Sequence, residues 1–223
     1  MTNGRLPRTR VGVLGTGDVG RRLAAAFSSR GHEVMIGSRD PGKPELREWC
    51  SADGGGVRAA TYSQAAAHGE FLVLAVLGNA AEAVIADAGA ENFSGKVVID
   101  AMNPLDFSGG FPPKLSISGE DSLGEHVQRA LPDAKVVKAF NTIGNPYFVD
   151  PSFSEGKPTM LIAGEDEGAK GLVRDVLADF GWPDTVDIGG IDGSRELEAI
   201  CIAWVKIGGV RGAWDHGFKL LVG

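Results

Sequence analysis

Residues 10–20 read RVGVLGTGDVG, and they decide the fold. Arg10 to Leu14 is a strand candidate that ends in Gly15-x-Gly17-x-x-Gly20. An amphipathic pattern follows, with Val19, Leu23 and Phe27 at i, i+4 and i+8, and it stops near Gly31. Strand, glycine turn and helix in that order are the context in which this spacing binds a dinucleotide. Gly15 allows the tight turn, Gly17 lets a pyrophosphate approach the backbone, and Gly20 lets the helix pack close on the strand. The phosphates then meet free N–H groups at the positive end of the helix. The competing reading is that the three glycines serve packing alone.

The next strand, His32 to Ile36, bears on the cofactor. NAD-binding chains place Asp or Glu about 20 residues after the turn, to bond the ribose 2′-hydroxyl. Here the chain reads Ile36-Gly37-Ser38-Arg39-Asp40. A hydroxyl at Ser38 and a fork-shaped cation at Arg39 suit a 2′-phosphate, so NADP(H) is the expected cofactor. Asp40 is expected to face away and to pair with Arg39 or cap a turn.

Further strands are expected at Val57 to Ala60, Phe71 to Leu77 (apolar throughout, as in a buried parallel strand), Lys96 to Asp100 and Ala134 to Phe140. Ser122-Leu-Gly-Glu125 reads as a capping box for a helix that Pro132 closes. Beyond residue 140 the expected elements are a strand at Thr159 to Ala163, a helix capped by Asp166, a short strand at Thr185 to Ile188, and a helix carrying Leu197, Ile200, Cys201, Trp204 and Ile207. Val210 to Leu220 is expected to be helical as well. Alternation of this kind predicts a Rossmann-type α/β fold, a doubly wound and mostly parallel sheet, with a small C-terminal α+β domain. The expected domains are 1–140, binding NADP, and 141–223.

The chain of 223 residues is 43% hydrophobic and 23% charged, with net charge −7, an ordinary globular composition. Without a basic tract, nucleic acid and anionic membrane surfaces are unexpected partners. The basic start, Arg5, Arg8 and Arg10, is read as a solvated arm. Cys50 and Cys201 are far apart in sequence, so no disulfide scaffold is expected, and a reducing, cytoplasmic setting is. His32, His68, His126 and His216 lack zinc-ligand spacing, so no metal is expected. No apolar run has membrane-spanning length. Glu165-Asp-Glu167 reads as a helix N-terminal charge cluster.

GTGDVGRRLA, GSRD, LAVL, DAMNPL, VVKAFNTIG and GSRELEAI occur in that order over nearly the whole chain. Together they resemble the NADP oxidoreductases that depend on the deazaflavin coenzyme F420. They are also similar to the soluble N-terminal domain of the six-transmembrane metalloreductases. The resemblance implies hydride transfer between NADPH and a flavin-like ring, with F420, FMN or FAD as second substrate. It puts Thr16, Gly17, Asp18 and Val19 in the phosphate turn, Ser38 and Arg39 at the 2′-phosphate, and Val76 and Leu77 in the loop after the fourth strand. It puts Asn103, Pro104, Ala139, Phe140, Asn141 and Thr142 beside the nicotinamide. The archaeal deazaflavin-binding pattern has His at the position of Asn141 and Pro at that of Gly144.

Those nicotinamide-side residues are apolar or neutral polar. Ring-to-ring hydride transfer needs orientation rather than an acid or base. Asn141 and Thr142 are expected to orient the rings, with Phe140 and Pro104 as an apolar wall. The alternative is that Phe140 packs in the core and Asn141 caps a turn. A second function remains open: an NADP-dependent reductase of a small carbonyl or imine, with His216 or Lys206 as proton donor. A third is a dinucleotide-sensing protein without turnover. Trp204 and Trp214 lie in an apolar stripe read as core or as contact in a two-fold homodimer formed by residues about 195 to 220.

Overall fold

The structure, a computed structural model, describes residues 6–223. Arg5 lies outside the described residues. Arg8 and Arg10 are exposed and pair with Glu33 and Glu70, at 2.9 and 3.6 Å.

The first half runs β1 (Arg10–Leu14), α1 (Asp18–Ser29), β2 (Glu33–Ser38), α2 (Pro44–Ala52), β3 (Arg58–Thr61), α3 (Tyr62–His68), β4 (Phe71–Leu74), α4 (Ala81–Ala88) and β5 (Val97–Asp100). A two-stranded ribbon follows, β6 (Leu105–Asp106) and β7 (Lys114–Leu115). Then come α5 (Leu123–Ala130), β8 (Lys135–Lys138), β9 (Met160–Gly164), α6 (Glu167–Asp179), β10 (Thr185–Asp187) and α7 (Ser194–Arg211).

Eight strands form one sheet in the order β10-β9-β8-β5-β4-β1-β2-β3. Within this sheet, among the described residues, only β8 and β9 pair antiparallel. The chain winds outward from β1 through β2 to β3, then returns to β4 on the other side of β1. That reversal opens a crevice at the carboxyl ends of β1 and β4, where open α/β sheets take their ligands. Strands β9 and β10 extend the same sheet, so the segment after residue 140 shares its hydrogen-bonded frame.

Two apolar layers cover the sheet. Val11, Val13, Phe27, Val73 and Phe180 meet on one face. Leu14, Leu72, Leu74, Val98 and Val127 meet on the other. Alternation along β4 sends Val73 one way and its neighbours the other, and all four of its residues are buried. Helix α3, absent from the sequence reading, has only seven residues and an alanine face. It starts at a complete capping box between Thr61 and Gln64. It packs so closely on β1 that a side chain at Gly12 would collide with the Ala65 carbonyl.

Several expectations need correction. Strand β4 ends at Leu74; the Ala75 N–H still bonds the Leu14 carbonyl at 2.9 Å, and the chain leaves the sheet after it, with Leu77 75% exposed. Strand β8 ends at Lys138. The tail is not helical: Gly212, in left-handed conformation at φ 66°, closes α7, and no regular element follows. Only half of the box at α5 forms. Ser122 Oγ accepts from the Glu125 N–H at 3.2 Å, but the Glu125 carboxylate takes Arg195 Nε at 2.8 Å, and the Ser122 N–H goes to Asp121. A charged partner has outcompeted the backbone donor.

Candidate functional site

The turn after β1 has the shape its glycines imply. Gly15 holds φ 128°, and a side chain there would strike the Ala75 carbonyl. A Cβ on Gly20 would strike the Gly15 carbonyl, so α1 and the turn touch backbone to backbone. Gly17 is different, because a Cβ there would meet nothing within 4 Å. Gly17 is the N-cap of α1 and offers no side-chain cap. The first-turn N–H groups, around Asp18 and Val19, are therefore available to an anion. Arg21, which the sequence reading passed over, braces the turn from outside. Its Nε donates to the Thr16 carbonyl at 2.9 Å, and its guanidinium lies 5.5 Å from the centre of the Trp49 ring.

At the end of β2, Ser38 is buried. Its Oγ accepts from the Asp40 N–H and donates to the Asp40 carbonyl, both at 3.1 Å. The Asp40 carboxylate accepts from the Gly42 N–H at 2.9 Å, so of its two expected roles it takes the turn cap. Arg39 is exposed and makes no ion pair among the described residues.

The loops after β4, β5 and β8 converge. A Cβ on Gly78 would lie 2.5 Å from the Asn103 carbonyl oxygen and 2.9 Å from Pro104 Cα, which sets the Val76-Leu77 segment against Asn103-Pro104. Asn103 and Asn141 are joined reciprocally. Asn103 Nδ2 donates to the Asn141 carbonyl and Asn141 Nδ2 donates to Asn103 Oδ1, each at 3.0 Å. Asn141 is 4% exposed, and its Oδ1 is buried without a hydrogen-bond partner in the protein. An orphaned acceptor of this kind is costly unless a ligand or water satisfies it. Thr142 and Ala139 are buried beside it.

Phe140 corrects the expectation of an apolar wall. Its ring packs in the core, with centroids 5.2 Å from Phe148 and 6.0 Å from Phe180. Its backbone holds φ 64°, rare for a bulky residue, and its N–H meets the Met160 sulfur at 3.4 Å. The ring anchors the loop from below, and the left-handed kink redirects the chain where Asn141 meets Asn103.

Beneath these loops lies a buried ionic cluster, and the sequence reading assigned it no role. Lys138 Nζ lies 2.8 Å from Asp100 Oδ2, 2.8 Å from Glu198 Oε1 and 2.9 Å from the Met102 carbonyl. All three charged side chains are essentially inaccessible. Burial pulls the Lys138 ammonium down, but the attraction of Asp100 and Glu198 and their hydrogen bonds outweigh it, and its pKa stands raised. Asp100 Oδ1 accepts from the Met102 N–H at 2.9 Å, and Glu198 accepts from the Leu123 and Gly124 N–H groups at the start of α5, both at 3.1 Å. The GSRELEAI segment thus has a structural reading: Ser194 packs on Gly124, Arg195 holds Glu125, and Glu198 reaches Lys138. Burial pushes the Cys201 thiol up to about 12, Lys138 opposing and Glu198 adding to it, so it is an inert core thiol.

Of the two C-terminal candidates, His216 is engaged with Trp204. His216 stacks on Trp204, with centroids 4.8 Å apart, and its Nε2 lies 2.9 Å from the Trp204 carbonyl. Trp204 Nε1 donates back to the His216 carbonyl at 3.0 Å. Lys206 is exposed on α7.

Comparison with known proteins supplies the family. Residues 10–104 match the family model described as NADP oxidoreductase coenzyme F420-dependent. The F420-dependent NADP reductase of Methanothermobacter marburgensis is 32% identical over 200 residues, covering 86% of this chain and 88% of that protein. A crystal structure from Arthrobacter sp. FB24, described as an F420-dependent NADP-reductase, superposes with TM-score 0.91 at 38% identity, covering 97% of this chain and all of that one. The metalloreductase STEAP3 of Rattus norvegicus is 27% identical over 196 residues, and the match spans 86% of this chain but only 36% of that longer protein. No helix among the described residues is long and apolar enough to cross a membrane. The chain is an oxidoreductase and belongs to the family of F420-dependent NADP oxidoreductases.

Proposed function

We propose that this protein transfers a hydride between NADPH and a deazaflavin, coenzyme F420, or a flavin-like ring such as FMN or FAD. The carrying observation is the Asn103–Asn141 pair with its orphaned Oδ1, seated at the carboxyl ends of β5 and β8, on the same edge of the sheet as the glycine turn after β1. Oδ1 is closed to solvent as it stands, so a carboxamide N–H of a bound nicotinamide would satisfy that acceptor after a rotation of the Asn141 side chain. The open face of Gly17, the uncapped start of α1 and the free cation of Arg39 fit the phosphates of NADP.

When bound, NADPH supplies the hydride and the second ring accepts it. The protein contributes orientation. Residues 1–140 hold the dinucleotide: Thr16 to Gly20 take the pyrophosphate, and Ser38 and Arg39 take the 2′-phosphate. Asn103, Asn141 and Thr142 fix ring orientation, while Val76, Leu77, Pro104 and Ala139 shape an apolar surround. Residues 141–223 complete the second-substrate side. None of these loop side chains titrates near neutral pH, as expected where no proton donor is needed at the transfer step.

The purified protein, given NADPH with F420, FMN, FAD, ferric chelates, and small carbonyl and imine substrates, tests this reading. Turnover with a ring acceptor is expected. Turnover confined to carbonyls or imines would establish the second function, and tight NADPH binding without any turnover the third.

Arg39→Ala is expected to weaken NADPH binding by about 1.5–3 kcal/mol and to leave NADH binding nearly unchanged, as read by fluorescence titration. Equal losses for the two would remove Ser38 and Arg39 from the 2′-phosphate site.

The assembly we propose is a homodimer through the end of α7 and the tail. Val210 is 90% exposed, Trp214 48% and Leu221 80%, apolar area at the end of α7 and on the tail that a second copy would cover. Light scattering at micromolar concentration should give twice the monomer mass. A monomeric mass refutes it.

A further inference from the structure

We propose that Lys138 is a positioning residue for hydride transfer, one ammonium group clamping the roots of both loops that carry the Asn103–Asn141 pair. This rests on the reading that the pair faces the nicotinamide.

Lys138 is the last residue of β8 and stands three residues before Asn141. Its Nζ bonds the Met102 carbonyl, one residue before Asn103. Asp100, the last residue of β5, holds the Met102 N–H. Both backbone groups of Met102 are thus tied to the ion pair, and Met102 itself is 2% exposed. Glu198 carries the clamp outward to α7 and to the first turn of α5.

An apolar side chain could fill this position at similar stability if all the charges were replaced together. It could not reproduce directional bonds to the Met102 carbonyl and both carboxylates. Those bonds set the separation of the β5 and β8 loops, and with it the register of the two amides. Misplacing reacting groups by about 1 Å can cost on the order of 100-fold in rate.

The test uses Lys138→Met/Glu198→Gln. Removing one carboxylate with the cation lessens the buried charge left behind, and the amide oxygen that replaces it can still accept from the start of α5. The double variant is expected to keep its fold by circular dichroism and its NADP+ affinity within about threefold, because the phosphate and 2′-phosphate contacts lie on the β1 and β2 loops. Its single-turnover hydride transfer, with whichever acceptor the wild type uses, is expected to fall at least about tenfold. Lys138→Arg, which retains a cation, is expected to recover part of that rate.

Asparagine-selective amide NMR adds a readout independent of the acceptor. The Asn103 and Asn141 side-chain signals should shift with NADP+ in the wild type and broaden without a defined shift in the double variant. Wild-type signals that ignore NADP+ would overturn the nicotinamide placement and this inference with it. Signals that respond alike in both proteins, or a rate within twofold of wild type, would overturn the inference alone.

Discussion

Lys138→Met should lower the unfolding free energy by about 3–5 kcal/mol, seen as a fall in urea midpoint at unchanged slope. The side chains of Lys138, Asp100 and Glu198 are 0%, 0% and 1% exposed. Methionine nearly matches the volume of lysine, so little cavity contributes. What changes is that two buried carboxylates lose their cation, and the Met102 carbonyl loses its donor. Adding Glu198→Gln should restore a measurable part of the loss, which a cavity or overpacking effect would not allow. A loss below about 1 kcal/mol would show that water reaches the cluster. In the wild type, the raised Lys138 pKa means that the folded state holds its proton more tightly than the unfolded state. This stabilisation is complete below the unfolded lysine value of about 10.4 and is lost as pH rises through the higher folded value.

Gly20→Val should abolish useful dinucleotide binding, with affinity for NADPH and NADH falling together by at least about 100-fold. The new Cβ would collide with the Gly15 carbonyl, a backbone atom that cannot swing aside. Helix α1 must then move off the turn, and its first N–H groups lose their aim. Two charge-assisted bonds at about 1.5–3 kcal/mol each account for that loss, and overpacking adds about 1–3 kcal/mol of destabilisation. Gly17→Ala is the informative contrast. Its Cβ meets nothing within 4 Å among the described residues, so stability should hold while binding weakens, because the methyl group would stand where the proposed site takes the pyrophosphate. NADPH titrations paired with urea unfolding measure both. Binding by Gly20→Val within about threefold of wild type would mean that the phosphates lie elsewhere.

The amide pair and the buried cluster illustrate different degrees of legibility. Asn103 and Asn141 were candidates because they sit in recognisable segments, yet 38 residues separate them. Their mutual bonds follow only from β5 and β8 being neighbours in the sheet. Phe140 is ambiguous for a related reason: a phenylalanine after a strand can face a ligand or the core, and only its packing on Phe148 and Phe180 settles that it faces the core. The stretch FLVLAVL reads as one long strand because apolar residues that run on past the end of a strand cannot be told by composition from those inside it. The tail from Val210 looked helical, but Gly212 stops it where its φ can be positive.

By itself the sequence determined the β1-turn-α1 unit, the parallel α/β class and the Ser38-Arg39 candidate, because each depends on short-range features: periodicity, and backbone freedom at particular glycines. Tertiary structure alone decided that Asp100, Lys138 and Glu198 meet out of water, and that Asn141 keeps an acceptor without a partner. Whether a charge is buried depends on which distant segments cover it, and local residue order carries no record of that.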